Sequence, residues 1–201
     1  MTNFIIYIYI YNNMTEINIL CLHGCCQNID IFKNLLRDYI KLSPEMNWHF
    51  LEGKYDHSRC GKTWFQPELS LDKIGQDMIE LDEIKNILTN IDEYIELHKI
   101  NVLLGFSQGG NVIDCYLRLY PETKIKCAVI GSGYSFPSLV KHNNDIQIPI
   151  LYLSSEIDDI VLFKNKPLYM NEKIIMHDKG HKVPTRKVII KQVIDFIQNY
   201  K

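Results

Sequence analysis

Within the stretch NVLLGFSQGGNV, Gly105, Ser107 and Gly109 form a G-x-S-x-G pattern, and Gly110 follows directly. A serine hydroxyl is a weak nucleophile until a base takes its proton and a carboxylate orients that base. The pattern therefore means little without its surroundings. Before it, NVLLGF is an apolar run of strand type; after it, QGGNVIDCYLRLY has helical spacing. A strand that turns sharply into a helix crowds its own backbone. Glycines on both sides of the serine give the room that the turn and the close helix–strand packing require. A serine acting only as a helix N-cap would account for Ser107 but not for the glycines around it.

Where a nucleophile sits on such a turn, the acid and then the histidine follow it along the chain. Three histidines follow Ser107. His142 lies in KHNND before the next strand, His177 closes the strand EKIIMH, and His181 lies in the loop DKGHKVPTRK ahead of the last helix. That last loop is where a base would hang over the carboxyl edge of the sheet, so His181 is the expected base and His177 a structural residue. The acid is expected after IPILYL, where SSEIDDIV offers Glu156, Asp158 and Asp159. Position one turn past the strand, with apolar Ile160 and Val161 behind it, favours Asp158, with Asp159 the neighbouring alternative. Acyl transfer also needs donors for the developing oxyanion. The backbone amide of Gln108, after the nucleophile, is one candidate. The other is the amide of Cys25 in LHGCCQN, where Gly24 lets the chain turn.

These residues need a frame. INILCL, WHFLEG, NVLLGF, IKCAVIG, IPILYL and EKIIMH read as short strands buried on both faces. Amphipathic stretches lie between them. One carries Ile31, Leu35, Leu36 and Tyr39; a second carries Ile84, Ile87, Leu88, Ile91 and Ile95. A third carries Val112, Cys115, Tyr116 and Leu119 and is stopped by Pro121. The last carries Ile189, Val193, Phe196 and Ile197, with a start allowed from Pro184. Alternating strands and helices predict an α/β fold: a mainly parallel six-stranded sheet with helices on both faces.

Residues 52–77 break this rhythm. They are long for a connection, lack a period, and hold Trp64, Phe65 and Pro67, which marks them as a candidate pocket wall or lid. Trp64 and Phe65 are the expected lining of a pocket for an uncharged acyl chain of medium length. The competing reading is that Trp64 anchors the loop. At the other end, residues 1–13 read as an appendage of strand-like, sticky composition, and 14–201 as one domain.

Composition narrows the function classes. The 201 residues carry a formal charge of −2 with acids and bases interspersed, which excludes the basic footprint of a nucleic-acid binder. No apolar run is long enough for integral membrane association. Of six cysteines, Cys21, Cys115 and Cys127 fall in apolar runs. No secretory signal is evident, so reduced thiols and a cytoplasmic setting are expected. Vicinal Cys25 and Cys26 are not expected to bridge to each other. CLHGCC lacks a second ligand pair at finger-like spacing, so no metal is expected.

Taken together, ILCLHGCCQN, LLGFSQGG, IPILYLSSEIDDIV and GHKVP resemble the FSH branch (family of serine hydrolases) of the α/β-hydrolases across nearly the whole chain after residue 16. The GFSQGG turn is shared with acyl-protein thioesterases and related carboxylesterases. The resemblance implies hydrolysis of a small-molecule acyl ester or thioester by Ser107, Asp158 and His181, without a cofactor. Acyl-protein thioesterase or lysophospholipase activity is the nearest alternative. A non-catalytic binding protein would not need all three residues.

Overall fold

The computed structural model describes residues 16–66, 79–142 and 145–200. The expected appendage at 1–13, and residues 67–77 of the irregular stretch, lie outside the described residues. Six strands form one parallel sheet: β1 (Asn18–Leu22), β2 (Asn47–Leu51), β5 (Val102–Phe106), β6 (Cys127–Gly131), β7 (Ile150–Ser155) and β8 (Glu172–His177), in the order β2-β1-β5-β6-β7-β8. Between β2 and β5, a two-stranded antiparallel hairpin joins β3 (Tyr55–Asp56) to β4 (Lys62–Thr63).

The helices are α1 (Ile29–Leu35), α2 (Arg37–Leu42), α3 (Leu81–Leu97), α4 (Gln108–Leu119), α5 (Pro137–His142) and α6 (Lys187–Asn199). Side chains alternate across each central strand, so one strand feeds two cores. Leu20, Leu22 and Leu103 pack with Ile84, Ile87, Leu88, Ile91 and Ile95 of α3 and with Val112, Cys115 and Tyr116 of α4. Ile19, Cys21, Val102, Leu104 and Phe106 pack with Phe32, Leu36, Tyr39 and the apolar face of α6 on the other side. Among the described residues, no helix is long and apolar enough to cross a membrane.

Several expectations need correction. The outer strands β2 and β8 are only partly buried, because each has a neighbour on one side alone. The first amphipathic stretch is two helices broken at Leu36, and Ile31 is 44% exposed, with Phe32 taking the inward position instead. The last helix begins at Lys187 rather than near Pro184. Reduced thiols do not hold for Cys26 and Cys60, which are joined as a disulfide 34 residues apart in sequence. The β3–β4 hairpin brings the two together, and that long-range pairing leaves no local trace.

The strand order places a function before any side chain does. The chain leaves β1 toward β2 on one side, then returns to add β5 on the other side of β1. At such a switch point the connections diverge and a crevice opens beyond the carboxyl ends of the two strands, the common ligand position in open α/β sheets. β1 ends at Leu22, opposite Gly105 of β5. The loops leaving that crevice are therefore His23-Gly24-Cys25 and Phe106-Ser107-Gln108.

Candidate active site

Ser107 stands between β5 and α4 with φ 53° and ψ −118°. A non-glycine residue in that region stores strain of order 1–3 kcal/mol and persists only where its surroundings hold it. The Ser107 amide donates to the Gly131 carbonyl at 2.8 Å, and its carbonyl accepts from the Asn111 amide at 3.0 Å. The glycines fit because side chains would not. A Cβ on Gly105 would lie 2.5 Å from the Gly109 carbonyl oxygen, and a Cβ on Gly109 would overlap the Leu22 carbonyl of β1.

Asp158 follows β7. Its amide bonds to the Ser155 carbonyl, and its Oδ1 accepts from the amides of Ile160 (3.0 Å) and Val161 (2.9 Å). Burial alone would push this carboxyl up. The hydrogen bonds from His181 and the Val161 amide, with the Ser132 hydroxyl and the His181 charge adding to the same side, outweigh burial and hold it below the usual carboxylate range. Asp159 and Glu156 are exposed.

His181 follows β8 on a turn that has Gly180 at φ +62° and is tied to Ser155 through the Gly180 amide. Its ring lies 5.0 Å, centre to centre, from that of Phe106. His181 Nδ1 is 3.0 Å from Asp158 Oδ2, and its Nε2 is 2.9 Å from Ser107 Oγ. In a neutral ring, Nδ1–H donates to the carboxylate and Nε2 accepts from the serine hydroxyl. His177 is placed elsewhere: its Nδ1 accepts from the Lys179 amide, and burial lowers its pKa against the opposing charges of Asp158 and Asp178. His142 is the last residue of α5. The fold thus gathers Ser107, Asp158 and His181 and leaves the neighbouring candidates aside.

The loop carrying Cys25 is held against Ser107. A Cβ on Gly24 would lie 3.1 Å from the Phe106 ring and 3.3 Å from Ser107 Cβ, so a larger residue there would make the neighbours give by a few tenths of an ångström. Gln108, 2% exposed, provides its backbone amide at the start of α4 while its side chain does something the sequence did not announce. Gln108 Oε1 accepts from both the Thr63 hydroxyl and the Trp64 amide, each at 2.9 Å. The Trp64 indole then donates to the His23 carbonyl at 2.8 Å. The ring of His23 accepts at Nε2 from the Gly53 amide (2.9 Å), leaving Nδ1–H to donate to the Gly24 carbonyl (2.8 Å). One buried network therefore links the two loops that flank Ser107.

Trp64 and Phe65, expected to line a pocket, are buried next to this network. They are 2% and 0% exposed, Phe65 packs edge-on against Phe136, and the indole N–H is committed to His23. A buried indole N–H needs a partner, and that of Trp64 finds it in the His23 loop, as an anchoring role requires. Exposed apolar side chains include Ile157, Leu162, Phe163 and Met176, in the sequence segments around Asp158 and before His181. The polar chain Gln108–Thr63–Trp64 escaped sequence reading because its members come from two distant segments. The one available signal was a glutamine opening a helix that is otherwise buried.

Comparison with known proteins shows the family and the fold. The family described as Serine hydrolase (FSH1) matches residues 13–193. An esterase of Anopheles gambiae is 25% identical over 211 residues, spanning 92% of this chain and 78% of that protein. An esterase of Aedes aegypti is 24% identical over 209 residues, spanning 92% and 76%. Among solved structures, esterase PE8 superposes with a TM-score of 0.70 at 14% identity over 93% of this chain and 94% of its own. The carboxylesterase of Bacillus cereus superposes with a TM-score of 0.66 at 13% identity over 96% and 99%. At these identities the solved structures speak to the fold.

Proposed function

Since the chain belongs to the serine hydrolase (FSH1) family and is a carboxylesterase-type hydrolase, we propose that Ser107, His181 and Asp158 carry out its ester hydrolysis through an acyl-enzyme. Ser107 Oγ attacks the acyl carbonyl carbon as His181 Nε2 takes the hydroxyl proton. The carbonyl oxygen, now an oxyanion, is received by the backbone amides of Gln108 and Cys25. Collapse of the tetrahedral intermediate expels the alcohol or thiol, which takes its proton from His181. Water then attacks the acyl-serine, with His181 again as base, and the carboxylic acid leaves. Asp158 fixes the ring with Nε2 facing Ser107 and stabilises the imidazolium in each half-reaction.

The observation that supports this reading best is the unbroken chain Asp158–His181–Ser107, at 3.0 and 2.9 Å, ending on a serine in a strained turn. The substrate side is an uncharged acyl ester or thioester. Burying an acyl chain against apolar side chains would contribute roughly 0.8 kcal/mol for each fully desolvated methylene. A fluorophosphonate probe tests the nucleophile. Treatment of the protein is expected to give one adduct per chain, mapped to the peptide containing Ser107 and absent from His181→Ala. An adduct on another serine would refute the assignment.

A further inference from the structure

Among the described residues, one cluster apart from Ser107, Asp158 and His181 has the donor set of a metal site. Cys26 Sγ, His57 Nδ1 and Cys60 Sγ all lie within 4.8 Å of one another. The second ligand pair that CLHGCC lacks locally is supplied by His57-Ser58-Arg59-Cys60, 31 residues further on. In a tetrahedral zinc site with Zn–S of about 2.3 Å and Zn–N of about 2.1 Å, the S···N edge is about 3.6 Å. Cys26 Sγ and His57 Nδ1 are 3.7 Å apart. The Arg59 amide donates to His57 Nδ1 at 3.1 Å, so Nδ1 carries the lone pair and Nε2 the hydrogen. That is the tautomer a metal at Nδ1 requires, and the metal would replace the Arg59 amide there.

The backbone presents these donors. Cys26 has φ 67° and Gly61 φ +57°. The Cys26 amide donates to the Lys62 carbonyl (2.9 Å), the Lys62 amide to the Gln27 carbonyl (2.7 Å), and the His57 amide to the Gly61 carbonyl (3.1 Å). A Cβ on Gly61 would lie 2.7 Å from the Cys26 carbonyl. The hairpin turn and the Cys26 loop are thus locked together before any sulfur chemistry, with Cα atoms of Cys26 and Cys60 5.1 Å apart. A disulfide alone would not use the imidazole beside it. The thiols of Cys21, Cys115 and Cys127 are pushed up by burial and stay protonated, unfit for ligation.

We propose that in its dithiol form this protein binds one zinc-type dication through Cys26, His57 and Cys60, as the alternative to the Cys26–Cys60 disulfide. Two thiolates balance the dication, and water completes a tetrahedron. Reduction by a phosphine and water yields two thiols and the phosphine oxide; metal binding then releases the two thiol protons. Either form clamps the loop carrying Cys25 to the β3–β4 hairpin. The site does not depend on the roles assigned to Ser107, Asp158 and His181.

Cobalt(II) titration of phosphine-reduced, desalted protein under anaerobic conditions tests this. One equivalent is expected to give thiolate-to-cobalt charge-transfer absorption with tetrahedral visible bands, displaced one for one by Zn²⁺ and absent from the unreduced protein. Cys60→Ser is expected to abolish the charge-transfer band, and His57→Gln to weaken binding at least about tenfold, with unchanged far-UV circular dichroism in both. Cys25→Ser is expected to leave the titration unaltered. No band in the reduced protein, a band that survives Cys60→Ser, or one indifferent to His57→Gln would overturn the proposal. Loss of the band in Cys25→Ser would overturn the ligand set.

Discussion

Asp158 and Asp159 share a side chain and a loop, and their surroundings separate them. The Asp158 carboxyl is buried, accepts two backbone amides and faces His181, whereas Asp159 is exposed. Asp158→Asn is expected to lower kcat by about 10⁴-fold, because the amide no longer selects the productive tautomer of the ring. Asp159→Asn is expected to stay within a few-fold; equal losses in steady-state assays would show that the acid is misassigned. The same contrast extends to pH. The Asp158 carboxyl is held below the usual range, so its contribution to stability is complete above the unfolded value of about 3.9 and is lost as pH falls through the lower folded value. Acid-unfolding curves of wild type and Asp158→Asn should therefore converge toward low pH and separate above pH 4. Curves that diverge toward low pH would give the shift the opposite sign.

At the scale of elements, close approach of α4 to β1 and β5 is what puts Ser107 at the sheet edge. Gly109→Ala would force a methyl into the Leu22 carbonyl, and the helix cannot retreat without moving the nucleophile. A loss of about 3 kcal/mol or more in urea unfolding is expected. Gln108→Leu keeps the backbone amide but strands the Trp64 amide in the core, while the Thr63 hydroxyl retains the Phe65 carbonyl. It should cost roughly 1–3 kcal/mol and lower kcat through a loosened His23–Cys25 loop. Unchanged stability would show that water replaces the side chain. What was legible in sequence follows the same division. Runs such as NVLLGF and the spacing from Ile84 to Ile95 are local patterns, and they became β5 and α3. The order of Ser107, Asp158 and His181 along the chain is also local to each loop. The break at Leu36, the β3–β4 hairpin, the Cys26–Cys60 bond and the burial of Trp64 are decided by partners tens of residues away. No window of sequence contains both halves of those contacts.

Across the whole molecule, the face of the sheet that carries α4 is fastened by one buried ion pair. Asp114 and Arg118 are both buried on α4, and the Asp114 carboxylate also accepts from the Ser135 hydroxyl (2.6 Å) and the Tyr169 hydroxyl (2.9 Å). It thereby ties the helix that follows Ser107 to the loop after β6 and to the segment between Asp158 and β8. Asp114→Ala would remove the buried carboxylate that Arg118, Ser135 and Tyr169 share. The expected destabilisation is about 3–5 kcal/mol by denaturant titration. A change under 1 kcal/mol would mean that the pair is dispensable to the fold.

The central claim is that Ser107 forms the acyl-enzyme, and the ester kcat/KM of Ser107→Ala tests it most directly. Alanine fits the space of Ser107, so the variant should match wild type in circular dichroism. Its turnover of a medium-chain aryl ester should fall by about 10⁴-fold or more. Activity within tenfold of wild type, in protein that is equally folded, would contradict the account.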